Sequence, residues 1–223
     1  MRACLRWQLR VLGYAWWLPL LLPVMALLLG WEAAAVPAAY LQRGAELDPR
    51  SALALVLEVR HLFPLAGAVW ASLFIGMDYP AAAQSSALSR GYRREQVIRS
   101  KYLLFLLGCL AISAMEQVFV LFAAVPGLRT LPAAFLLRCF CLRLALDVGM
   151  MVPPALCCFL AGDDRYLRLL GLVYGAALWR LVRSHPALWL QYAGWGRGEW
   201  LALWPLAVLI LGTPGCLCLS RQK

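Results

Sequence analysis

The chain has 223 residues, of which 63% are hydrophobic and only 14% charged, and its net charge is +10. A soluble domain carries about 25% charged residues, so these charges cannot cover a water-facing surface and most of the surface is expected to face lipid. The positive charge forms no single basic face. It falls in short clusters between apolar runs, which favours membrane topology over nucleic-acid binding.

Residues 1–10 carry Arg2, Arg6 and Arg10, and residues 11–31 are apolar. The charge order suits a signal peptide, but the run of 21 residues with Trp16 and Trp17 exceeds the usual core of about 7–15. An uncleaved first span is expected, kinked near Pro19 and Pro23. Residues 32–50 read as a mixed loop with Pro37, Gly44 and Pro49. A second span covers 53–76. Glu58 and His61 share a helical face near its outer end, where an interfacial polar cap is favoured over a lining role.

Residues 77–101 form the longest polar stretch, with Asp78 and Pro80 suited to a helix start. Ala81, Ala82, Ala83 and Ala87 make a narrow helix, and Gly91 lets the chain turn. Glu95 and Arg99 are spaced to pair as the chain enters a third span over 102–125. Pro126-Gly127 signals a turn. A fourth span over 131–160 is followed by a fifth over 166–182, an outer aromatic stretch over 183–200 and a sixth over 201–219. With the N-terminus inside, twelve Lys and Arg fall on the inner segments and six on the outer ones, with Arg180 close by. This bias places both termini in the cytoplasm. The expected fold is therefore all-α, a single polytopic domain of six transmembrane helices, with 77–101 cytoplasmic and 183–200 re-entrant on the outside.

Ionisable groups inside a span cost about 2.5–3.5 kcal/mol each near the bilayer centre, so they pair or line a wet path. Glu116 and Arg138 are expected to meet across the helix pair that flanks Leu128. Arg143 and Asp147, four apart, are expected to pair within one helix. These four serve as structural clamps, as a polar strip along a translocation route, or as both.

The eight cysteines include no C-x-x-C pair and read as apolar packing residues. With only His61 and His185, a multi-histidine metal site is not expected. No G-x-x-x-x-G-K-[ST], G-x-S-x-G or H-E-x-x-H motif is present, so the chain is not expected to be an enzyme on its own.

Gly76, Asp78 and Tyr79, followed by a short helix and then Ser89, Gly91, Arg94 and Lys101, resemble the pattern after the second span in permease subunits of type-2 ABC exporters. The six-span layout is similar as well. Arg93 beside Arg94 blurs which arginine matches, and ten residues ahead of the first span is short for that family's amphipathic interface helix. The resemblance implies a permease dimer, homo- or heteromeric, bound to separate ATPase subunits that hold ATP and Mg. It implies no cofactor or metal in this chain. It also implies that a coupling helix over 78–89 docks in a groove of the ATPase. The implied docking residues are Asp78, Tyr79, Pro80, Ala82, Ser86, Ser89, Gly91, Arg94 and Lys101. It implies localisation to the bacterial cytoplasmic membrane and, by analogy, export. The plainer reading of the same stretch is a basic loop that sets topology. The rival reading of the whole chain is an intramembrane lipid-modifying enzyme that uses Glu116, Arg138, Arg143 and Asp147.

Overall fold

The computed structural model describes residues 2–14, 17–42, 49, 62–76, 89–124, 130–161, 173, 176–177 and 180. Every regular element among them is helical. Helix α1 runs Arg2–Tyr14, α2 Trp17–Gln42, α3 Phe63–Gly76, α4 Arg94–Phe119 and α5 Ala133–Ala161. A π-helical segment, Val120–Ala124, continues α4. Four helical residues fall in the expected fifth span. The rest of that span, the stretch 183–200, the sixth span and the docking residues Asp78, Tyr79, Pro80, Ala82 and Ser86 lie outside the described residues.

Among the described residues, two helices are long and apolar enough to cross a membrane, Trp17–Ala35 within α2 and Glu95–Phe122 along α4, and Leu65–Ile75 is a shorter apolar helix. Such lengths suit a membrane protein.

The N-terminal region departs from the expected span over 11–31. Helix α1 ends at Tyr14 and α2 begins at Trp17. Arg2, Arg6 and Arg10 recur every four residues and share one helical face, while Cys4 and Gln8 share another and are buried. This division makes α1 a separate amphipathic helix instead of the start of a crossing. The expected loop over 32–50 is also corrected, because α2 continues to Gln42. Ala33, Ala34, Ala35, Ala38 and Ala39 are strong helix formers and carry the helix past Pro37. Pro19 lies in the first turn of α2, where a missing N–H leaves no helical bond unmade.

Paired contacts fix the relative direction of the helices. Ser113 reaches Asp147 and Glu116 reaches Arg143, so α4 and α5 are antiparallel. Phe63 lies under Arg143, and Gly67 lies against Met151, so α3 and α5 run the same way. Gly30 on α2 meets Phe119 on α4, while α1, just before α2, packs on the first turns of α4. Helices α2 and α4 thus run one way and α3 and α5 the other, an alternation that suits successive crossings.

Helix α3 packs most extensively on α5. A Cβ built at Gly67 would sit 2.5 Å from the Met151 Cα, so glycine permits the two backbones to approach. Trp70 stacks on Phe74 at 5.2 Å between ring centres, and its indole N–H donates to the Phe105 carbonyl at 3.4 Å. These rings join Ile112, Met151 and Val152 in one buried core. Outward, Leu20, Val24, Leu27, Leu28 and Trp31 form a stripe on α2, and Leu103, Leu107, Leu110, Val118 and Phe122 form another along α4 and its π continuation. The three- and four-residue spacing keeps each stripe on one face, and patches of this extent suit lipid better than water.

Candidate functional site

The first candidate site is built where α3, α4 and α5 meet. Ser113, Glu116 and Gln117 fall on one face of α4 because they are three and four residues apart. Arg143 and Asp147 do the same on α5. The Arg143 guanidinium donates to Glu116 Oε1 at 2.7 Å and lies 3.5 Å from Asp147 Oδ2. Ser113 Oγ donates to Asp147 Oδ2 at 2.8 Å, and Gln117 Nε2 donates to Ser113 Oγ at 3.1 Å. The Phe63 ring, 5.9 Å from Arg143 Cζ, closes the third side. Glu116, Arg143 and Asp147 are at most 1% exposed.

Opposite charges this deeply buried stabilise one another through short, directed hydrogen bonds, which offset much of their desolvation cost. The Arg143–Asp147 pairing agrees with its four-residue spacing. Glu116 pairs with Arg143, and the expected contact with Arg138 falls outside the described residues. The observed contacts centre the antiparallel pair near Thr130 instead of Leu128, which brings Arg143 to the depth of Glu116. Ser113, Gln117 and Phe63 escaped the sequence reading. Their signal was modest: two small polar residues on the Glu116 face of an apolar run.

The second candidate site is the elbow that leads into α4. Gly91 is exposed and has φ of 78°, the left-handed region that L side chains avoid. Arg93 follows in extended backbone as the N-cap of α4. Its N–H donates to the Gln96 side chain at 3.4 Å, one half of a capping box. Glu95 in the first turn forms an ion pair with Arg99, as the spacing requires, and its charge complements the helix dipole. Arg94 opens the helix, and Lys101 is buried where the apolar part of α4 begins.

Helix α1 braces this elbow. Cys4 Sγ lies 3.3 Å from Ser100 Oγ and 3.7 Å from the Gln96 carbonyl. Gln8 Nε2 donates to the Val97 carbonyl at 3.1 Å, and Trp7 packs on Tyr92 with ring centres 6.3 Å apart. Of the implied docking residues, the described structure thus places Ser89, Gly91, Arg94 and Lys101 on one turn and the first turns of one helix.

No family model matches the chain, and no curated protein or solved structure matches it either. Among the described residues no cluster of three or more His, Cys, Asp or Glu is placed to hold a metal ion.

Proposed function

We propose that the chain is the permease subunit of an ATP-driven transporter, an exporter, in the bacterial cytoplasmic membrane. It crosses six times with both termini inside. It pairs with a second permease copy and takes mechanical work from a separate ATPase subunit that binds ATP and Mg.

The observation that carries this reading is Gly91. It stands at the glycine of Ser89-x-Gly91-x-x-Arg94, and its φ of 78° turns the polar stretch into α4. A loop that merely sets topology has no need of a left-handed residue, a capped helix start and a bracing helix at one point. In the proposed mechanism, closure of the ATPase dimer moves the docking helix over 78–89. Gly91 and α4 pass that motion to the α4–α5 interface, where the Glu116–Arg143–Asp147 cluster forms a polar step in the route.

Purification with the neighbouring gene products tests the proposal. Recovery of a P-loop ATPase, lost on Asp78→Lys or Ala82→Trp, is the expected result. Purification as a lone membrane protein would count against it.

The burial of Glu116, Arg143 and Asp147 favours a second reading, an intramembrane lipid-modifying enzyme that also draws on Arg138. That reading expects Glu116→Gln or Asp147→Asn to abolish lipid turnover while expression is unchanged.

A further inference from the structure

We propose that α4 has a second register against α5, reached when a surplus residue stored in its π-helical segment moves toward the N-terminus. The move exchanges Glu116 for Gln117 at Arg143. It is a property of this chain alone and needs neither the ATPase nor the cargo of the reading above.

The surplus is visible along α4. Its outward positions are Leu103, Leu107, Leu110, Ala114, Val118 and Phe122. They complete five turns in 19 residues, where an α-helix uses about 18. The extra residue is absorbed at Val120–Ala124, because a π-turn holds one residue more than an α-turn. Where the segment begins, the Val120 N–H is shared between the Gln117 and Glu116 carbonyls, so the hydrogen-bond pattern is already mixed there. Single π-turns of this kind are frequent at functional sites, and this one starts one turn beyond the Glu116–Arg143 contact.

Packing sets how far the shift extends. The first half of α4 is held by Gln8, which donates to the Val97 carbonyl, and by Trp70, which donates to the Phe105 carbonyl. A surplus residue passed to the N-terminal side of Ser113 leaves that half in place. Only the stretch between its old and new positions moves, and each residue there takes the place of the one before it. Gln117 arrives where Glu116 meets Arg143, and Ala114 arrives where Ser113 meets Asp147. The Gln117 amide oxygen accepts from a guanidinium as a carboxylate does, without the charge. Glu116 turns to the partly buried place of Met115. The ion pair between α4 and α5 is then open, while Arg143 and Asp147 stay together on α5.

Helix α2 accommodates the same shift. A Cβ built at Gly30 would sit 2.5 Å from Phe119 Cδ1, and Val120, the next residue at that place, is smaller. Phe119 takes the outward place of Val118, which suits a large apolar side chain in lipid. Loss of a buried ion pair makes the shifted register the less populated one.

The test traps each register as a disulfide, in the purified full chain with its own cysteines replaced. The paired Cβ atoms must approach to about 3.5–4.5 Å. Gly30→Cys/Phe119→Cys reports the observed register, and Gly30→Cys/Val120→Cys reports the shifted one. The second pair also carries Phe119→Ala, which clears the ring from the new side chain. Both bonds are expected to form on oxidation, the second more slowly. Deletion of Leu121 removes the surplus residue, so it is expected to keep the first bond and abolish the second. Glu116→Gln, which offers Arg143 a glutamine in either register, is expected to speed the second bond several-fold, and Gln117→Leu to slow it. Absence of the second bond in every form overturns the proposal. So does a second bond that forms equally well after deletion of Leu121, the result of Val120 swaying within one register. Rates unmoved by both cluster variants overturn the exchange at Arg143. Loss of the first bond as well would remove the α2–α4 packing on which the shift is built.

Discussion

Arg143 of α5 donates to Glu116 of α4 at 2.7 Å, with both side chains almost wholly out of contact with solvent. The same guanidinium lies beside Asp147 one turn further along α5. One arginine thereby ties two carboxylates on two helices into a single unit.

Removal of the cation from this unit leaves buried carboxylates without it. Arg143→Met is expected to destabilise the folded protein by about 3–5 kcal/mol. Glu116→Gln, which keeps the shape and an acceptor oxygen, is expected to cost less. The double variant Glu116→Leu/Arg143→Met should be more stable than Arg143→Met alone, because an apolar pair replaces a broken ionic one. Thermal melts of the purified variants in one detergent measure this, and strictly additive losses would contradict it.

Gly91 has a conformational reason to be glycine and no steric one, since nothing lies within 4 Å of a Cβ built there. Gly91→Ala is therefore expected to fold and to cost about 1–2 kcal/mol locally. Gly91→Asn, which tolerates the left-handed region, should cost less. Hydrogen exchange of the first-turn amides of α4 reads the difference. Equal protection in all three forms would show that the turn does not hold the helix start.

Gly67 is the opposite case. Its Cβ would meet the Met151 backbone, which cannot swing aside as a side-chain tip can. Gly67→Ala is expected to push α3 from α5 and to cost about 1–3 kcal/mol. The melting temperature should fall, and Met151→Ala should restore little of it because the clash is with the Cα. Full rescue by Met151→Ala would place the obstruction in the side chain.

What the sequence made legible was local. The Glu95–Arg99 and Arg143–Asp147 pairs follow from four-residue spacing, and the turn at Gly91 follows from the residue itself. Helix α5, Ala133–Ala161, lies along the apolar run read over 131–160. Register between helices was less legible. Glu116 could be placed at a depth, but its contact with Arg143 was not read, because the contacts centre the α4–α5 pair near residue 130 and the turn had been read at Leu128. The N-terminal helix was missed for another reason. Its buried face is formed by Cys4 and Gln8, which look unremarkable until α4 covers them, so the apolar run over 11–31 absorbed the end of α1. Alanines after Glu32 prolonged α2 where a charge and a proline suggested a loop.

The sidedness of the elbow decides the account most directly. Arg90 is exposed beside Gly91, so Arg90→Cys can be labelled without disturbing the core, with the parent chain as background for its own thiols. A membrane-impermeant maleimide is expected to label it only after the cells are opened. Labelling of Arg90→Cys in intact cells, at the rate seen in opened ones, would put the elbow outside and out of reach of any ATPase.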